Sequence, residues 1–287
     1  MMQTSSMSKP RMVLIIKILV FSFVLLVLCG LILMFIRMRP PATIADIAYD
    51  RITRSRTTDF RIFIQEDGKY VPYLVLTANY GGNVLLLREH LMDELRPINH
   101  SLNPVETWSG WVWGGWAWQD YGAYYPNSYM DNFLNAEFKD TLCDSVIAAM
   151  VPSNIVVTAK DSIGPTGRDS YTITRYVFLL SHRELGVPNS SVAVPEGERL
   201  RFFRNYHARR VANHADGRAN PYWTRTPNTW GTSNVFAIGV DMVGSGAADG
   251  LIGVRPAFAI CRSTAITTST DIISGQAVFV LDTGNAY

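Results

Sequence analysis

Between Tyr222 and Gly253 the chain reads YWTRTPNTWGTSNVFAIGVDMVGSGAADGLIG, a run of Asn, Ser, Thr, Asp and Gly with Trp230 and Phe236 set among them. Short polar groups make adaptable hydrogen bonds, and aromatic faces add contact area at low entropic cost. The chemistry these residues could do is therefore recognition. A polar hairpin with ordinary turn chemistry is the alternative, and composition leaves both open. A second candidate is Trp108 to Pro126, WSGWVWGGWAWQDYGAYYP, which holds five of the seven tryptophans. The gaps between Trp108, Trp111, Trp113, Trp116 and Trp118 fit neither a helical stripe nor a strand alternation. This stretch reads as a core staple of packed indoles, as an exposed contact for sugar or a neighbouring subunit, or as a membrane-interface patch.

Groups that make and break bonds are sparse. The five histidines, at 90, 100, 182, 207 and 214, form no H-x-H or H-E-x-x-H pair, so no metal site is expected. Ser181-His182 ends an apolar strand and reads as structural. Val243-Gly244-Ser245-Gly246 lacks the first glycine of a nucleophile elbow. Asp216-Gly217 and Asp249-Gly250 read as turns, not calcium loops. No enzymatic activity and no cofactor are expected. Cys29 lies in an apolar run, which leaves Cys143 and Cys261 as the one possible pair; a disulfide is allowed, not required.

Charge separates the two ends of the chain. Residues 1–59 carry eight basic and three acidic side chains, and the remainder carries 18 and 21. That balance excludes an electrostatic footprint for nucleic acid. The run Arg199, Arg201, Arg204, Arg209, Arg210 and Arg218, interleaved with Glu196, Glu198 and Asp216, reads as a solvated or ion-paired surface.

The elements that must position these residues begin with Ile18 to Ile36, nineteen residues without a charge. At 1.5 Å per residue such a helix covers about 28 Å, close to a bilayer core. No small-residue cleavage site follows it. The expected organisation is a cytoplasmic N-terminus at 1–17, a transmembrane anchor at 18–36, a juxtamembrane linker at 37–59 and a ligand-binding domain at 60–287. The domain is expected outside the cell, although the flanking arginines do not favour that side. Phe60–Gln65, Tyr70–Leu76, Val84–Leu87, Ile155–Lys160 and Arg175–His182 read as strands, as do Val235–Asp241, Gly253–Cys261 and Ala277–Leu281. Ser128–Met150 reads as one strong helix capped by Asn127 or Ser128, and Glu196–Phe203 as a short one. The fold class is α+β with long ordered loops.

The order YVPYLVLTANYGGNVLLLREHLMDE, YPNSYMDNFLNAEFKDTL, RYVFLLSHRELG, YWTRTP and GVRPAF resembles bacterial and phage C-type-lectin-like domains of the formylglycine-generating-enzyme-related type. Variable proteins of diversity-generating retroelements belong to that group. The resemblance spans roughly residues 60–262 and implies a C-type-lectin-like fold whose variable, ligand-binding face lies at Asn228–Asp249. It places Trp223, Arg225, Arg255 and Pro256 in the framework, where Arg255 anchors loops through its fork of donors. The reactive cysteine pair of the enzyme relatives and the E-P-N calcium triplets are missing, so neither oxidase activity nor calcium-dependent sugar binding is implied. The candidate contacts are Asn228, Trp230, Thr232, Ser233, Asn234, Phe236, Asp241, Ser245 and Asp249. The expected function is a membrane-anchored, non-enzymatic receptor or adhesin for a protein or glycan on another surface. The alternative is a structural or assembly module of a surface or virion complex, possible as a homo-oligomer through the tryptophan segment.

Overall fold

The computed structural model describes residues 20–30, 43–52, 57–100, 108–112, 115–119, 122–164, 167–187, 194–204, 207–228, 233–240, 243–273 and 275–281. The chain divides into two units, Met1–Pro41 and Ala42–Tyr287. In the first, residues 20–30 are helical and expose Phe21, Phe23 and Leu26. Among the described residues no helix is long and apolar enough to cross a membrane. This corrects the single-pass anchor at 18–36 and the extracellular placement that rested on it. Positions 1–19 and 31–36 lie outside the described residues.

The second unit begins before the expected domain start at residue 60. Thr43 bridges to Ala265, Ile44 donates its N–H to the Thr264 carbonyl, and Ile44, Ile47 and Ala48 are buried. The part of the 37–59 linker at 43–48 is therefore packed into this unit.

The strands are β1 (Arg61–Glu66), β2 (Lys69–Tyr80), β3 (Asn83–Arg88), β4 (Trp108–Val112), β5 (Gly115–Gln119), β6 (Met150–Val151), β7 (Ser153–Thr158) and β8 (Ser170–Arg175). They continue with β9 (Val177–Phe178), β10 (Tyr222–Pro227), β11 (Asn234–Ile238), β12 (Val243–Ala247), β13 (Ala257–Ile260), β14 (Ile266–Ile273) and β15 (Gln276–Leu281). The main sheet runs β14-β15-β1-β2-β3-β13-β6, with β9 also paired to β13. It curls into a half-barrel. The β1–β15 contact is parallel, with Ile62 opposite Phe279. Val84–Leu87 and Ala257–Ile260 are unbroken apolar runs and are buried throughout, as strands covered on both faces must be. Two tight turns set the register of the first three strands. Asp67-Gly68 (φ 47° and 75°) joins β1 to β2, and Gly81-Gly82 (φ 59° and 85°) joins β2 to β3. Both residues of each loop are left-handed, the geometry whose twist matches the flanking strands.

The expected class, α+β and C-type-lectin-like behind a transmembrane helix, does not fit: the architecture is predominantly β. The correction is sharpest at Ser128–Met150. The expected cap is present, since the Ser128 hydroxyl accepts the Asp131 N–H at 3.1 Å. The helix that follows is broken into α1 (Tyr129–Phe133), a π turn at Leu134–Phe138, one turn at Lys139–Thr141, and α2 (Asp144–Ala149). Leu142 and Cys143 are extended. Leu142 bridges to Glu66 and the Cys143 N–H donates to the Gln65 carbonyl, so hydrogen bonding to β1 captures the backbone there. The short helix expected at Glu196–Phe203 shrinks to a 3-10 turn at Arg201–Phe203, because Gly197 sits at a φ of 76° that no helix contains.

The tryptophan stretch forms a two-stranded sheet of its own, β4 against β5. Trp111 pairs with Trp116 and Ser109 with Trp118. Positions 109, 111, 116 and 118 thus share one face of the ribbon. Trp108 and Trp111 fall on opposite faces of β4, while Trp116 and Trp118 share a face of β5, so the spacing follows no single period. Trp113 lies outside the described residues.

Candidate functional site

The three-stranded sheet β10-β11-β12 carries the segment expected to make ligand contacts. Its far end is tied together by backbone. The Asn228 N–H donates to the Asn234 carbonyl at 2.8 Å, and the Ala248 N–H to the Ser233 carbonyl at 2.7 Å. Asn228, Ser233, Asn234 and Asp249 are thereby gathered at one end of the ribbon. Asn228 is buried, Ser233 and Asn234 are half-buried, and Asp249 is exposed. Ser245 is exposed in mid-strand on β12. Phe236 sits opposite Ser245 in the ladder but is buried, with its ring 4.4 Å from that of His182. It belongs to the core and not to a contact surface. Trp230, Thr232 and Asp241 lie outside the described residues.

What holds this ribbon in place is Trp223. In the ladder Trp223 pairs with Ala237 and Ala237 with Gly244, so these three share a face with Val235 and Gly246. The indole is buried and donates its N–H to the Arg96 carbonyl at 2.8 Å. A Cβ placed on Gly246 would stand 3.0 Å from the ring, and also 3.0 Å from Ile252. Glycine at 246 is therefore a packing requirement. Beyond the strand end, the Ala248 carbonyl accepts the N–H groups of Ile98 and Asn99, which pins the ribbon to the segment after β3.

Beneath β10 lies a buried ionic network that the sequence did not announce. Arg225 is fully buried. Its Nη1 donates to the Glu184 carboxylate at 2.7 Å and to the Leu179 carbonyl at 2.8 Å, and its Nε to the Val156 carbonyl at 3.1 Å. Glu196, 4.0 Å away, is a second buried carboxylate. It accepts the Thr158 N–H and hydroxyl, each at 2.8 Å, and the Thr226 hydroxyl at 2.6 Å. Even so, burial holds the Glu196 carboxyl above its ordinary range. Glu184 also closes a reciprocal pair with Ser181: its carboxylate accepts the Ser181 N–H at 2.9 Å, and its own N–H donates to the Ser181 hydroxyl at 3.0 Å. That is the S-x-x-E capping box working at a turn, and it was the available signal. Ser181 and His182 are both buried. Burial, with Arg210 adding to it, pushes the His182 imidazole down to about 4.

A family model described as a domain of unknown function, DUF6273, matches residues 81–261, more than half of the chain. The chain belongs to the DUF6273 family. No curated protein and no solved structure matches it.

The matched DUF6273 region contains the whole β10-β11-β12 ribbon and all three members of the Arg225–Glu184–Glu196 network. Strands β1, β2, β14 and β15 lie outside it, although they complete the main sheet. Among the described residues of the DUF6273 chain, no three His, Cys, Asp or Glu side chains gather into a metal site. Cys143 and Cys261 are free thiols, so the allowed disulfide is not formed.

Arg255 acts as a second anchor of the DUF6273 domain. Its Nε donates to the Arg88 carbonyl at 2.9 Å, and its Nη atoms reach the carbonyls of Arg210 and Glu89, each at 3.3 Å. One planar fork thus ties two segments, 88–89 and 210, to its own. Replacing it by alanine takes a donor from the carbonyls of Arg88 and Glu89, while the Arg210 carbonyl keeps the Tyr222 hydroxyl, at a cost of about 2–3 kcal/mol. The expected result for Arg255→Ala is a melting temperature lower by roughly 5–10 °C in a scanning fluorimetry trace. An unchanged melting point would remove Arg255 from the framework.

Proposed function

We propose that this DUF6273 domain is a non-enzymatic binding module whose contact surface is the outer edge of the β11–β12 ribbon, and that its ligand is a protein or glycan on another surface. The observation that supports the reading is the alternation along β12. Val243, Ser245 and Ala247 are exposed, while Gly246 lies against Trp223 and Gly244 is on the same face of the ribbon. The outer positions can change identity without disturbing the packing beneath, and Asp249 in the following turn shares that freedom. A surface that varies over a constant floor suits a receptor whose ligand changes, as in retroelement-diversified proteins.

Two measurements test this. Ser245→Tyr should keep the melting temperature within about 2 °C, as exposed substitutions do, whereas Gly246→Val should lower it by roughly 5 °C or more through overpacking on the indole. Binding of the labelled full chain to a glycan array and to displayed cell-surface proteins should then be lost in a Ser245→Tyr, Asp249→Lys double variant. Binding that survives both changes would move the contact surface elsewhere. Sequencing of the source population across codons 228–249 bears on diversification: substitutions should cluster at the exposed positions and spare 244 and 246.

A further inference from the structure

A cleft of about 390 Å³ opens between the β2–β3 turn, the start of β7 and the segment 197–201. None of these elements belongs to the β11–β12 ribbon. The volume falls in the range of small-molecule sites, roughly 300–1,000 Å³. One of its lining groups is the Glu184 carboxylate. Its Oε2 is committed to the Ser181 N–H and to Arg225, while Oε1 takes the Tyr80 hydroxyl at 2.7 Å. A carboxylate oxygen accepts two hydrogen bonds, so Oε1 keeps one acceptor position to offer among the described residues. Gly197 lies directly over that atom: a Cβ there would stand 2.9 Å from Oε1. Glycine at 197 is what leaves this flank of the carboxylate uncovered.

The walls supply side-chain amides. Asn83 spends its NH2 group on the Gly81 carbonyl at 3.3 Å and keeps its oxygen, while Asn154 accepts from Thr174 at 2.8 Å and keeps its NH2 group. Asn79 is exposed beside them. Around the opening Glu198 stands against Arg199 and Arg201, the charge of Glu184 being already met by Arg225. An anionic ligand would engage the two arginines and find no partner in the Asn83 oxygen, an acceptor. A zwitterion would use Glu198 and Arg199 and leave the amides unmatched. A ligand whose groups each donate and accept matches amide, carboxylate and phenol at once, and vicinal hydroxyls are that chemistry.

We propose that this cleft is a binding site for a neutral saccharide, a mono- or disaccharide held through its hydroxyls by Asn79, Asn154 and Glu184. The test is saturation-transfer NMR on the full chain. The probes are glucose, galactose, mannose, N-acetylglucosamine, maltose and cellobiose, with alanyl-alanine as the zwitterion and inorganic phosphate as the anion. At least one sugar should bind with a dissociation constant of about 1 mM or tighter. An Asn79→Ala, Asn154→Ala double variant should weaken it about tenfold at an unchanged melting point. Ser245→Tyr should leave it unaltered, which separates this site from the ribbon. The side-chain amide resonances of Asn79 and Asn154 in the unmodified chain give an independent readout and should shift on titration. The proposal is overturned by silence from all six sugars at about 10 mM. Preferential binding of alanyl-alanine or phosphate, or amide resonances that stay put while a sugar binds, would overturn it equally.

Discussion

Arg225→Ala should be the most damaging single substitution in the domain, costing about 3–5 kcal/mol because it leaves Glu184 and Glu196 as buried carboxylates without their cation. For a unit of this size that is a fall in melting temperature of roughly 6–20 °C. The loss should also depend on pH. Burial already holds the Glu196 carboxyl above its ordinary value of 4.5 with Arg225 present, and removing the guanidinium raises it further. A carboxyl that resists ionisation when folded stabilises the fold below its ordinary pKa and costs stability as pH rises through the raised one. The gap between variant and wild type should therefore narrow from about pH 8 to about pH 5. His182 works in the opposite sense: held down to about 4, it costs stability as pH falls below 6.5. That contribution is common to both proteins and cancels in their difference. Calorimetry at the two pH values decides it; a gap that widened on acidification would mean that Glu196 is ionised in the variant.

Trp223→Ala should come next, at about 3–5 kcal/mol for a buried aromatic truncated to a methyl group. The indole fills the space that Gly246 and Gly250 leave for it, so its loss opens a cavity under the whole ribbon. Scanning calorimetry should show the lower transition, and added indole should restore part of it by occupying the cavity, since a ligand that binds only the folded state raises its stability. A variant that melts like the wild type would show that the β11–β12 ribbon does not rest on this ring. A destabilised variant insensitive to indole would show that the ribbon collapses onto the gap.

How much of this was legible depended on the range of the interaction. The Asp67-Gly68 and Gly81-Gly82 turns, the Ser128 cap and the first three strands are set by neighbours in the chain, and their residues state them locally. The break at Leu142–Cys143 is not local: it follows from hydrogen bonds to Gln65 and Glu66, which helical periodicity over 128–150 cannot contain. Burial of Glu184 and Glu196 was hidden for the same reason, since each lies in a polar stretch and its partner Arg225 arrives from another strand. Glu184 alone carried a local trace, the Ser181-x-x-Glu184 spacing. Of the candidate contacts, Ser245 and Asp249 are exposed as expected, while Phe236 reads polar by its company and is buried by its register. The tryptophan spacing misled because Trp108 and Trp111 stand on opposite faces of one strand.

The parallel contact between β1 and β15 has a consequence for how the chain reaches this state. Ile62 cannot find Phe279 until the whole stretch between them has been synthesised. On the ribosome β1 and β2 can pair as a hairpin at once, yet one edge of β1 stays open until β15 emerges. Closure of so distant a pairing must overcome the entropy of a very long loop, which makes it slow. The main sheet is therefore completed late, and an unpaired edge is the nascent chain's exposure to wrong partners.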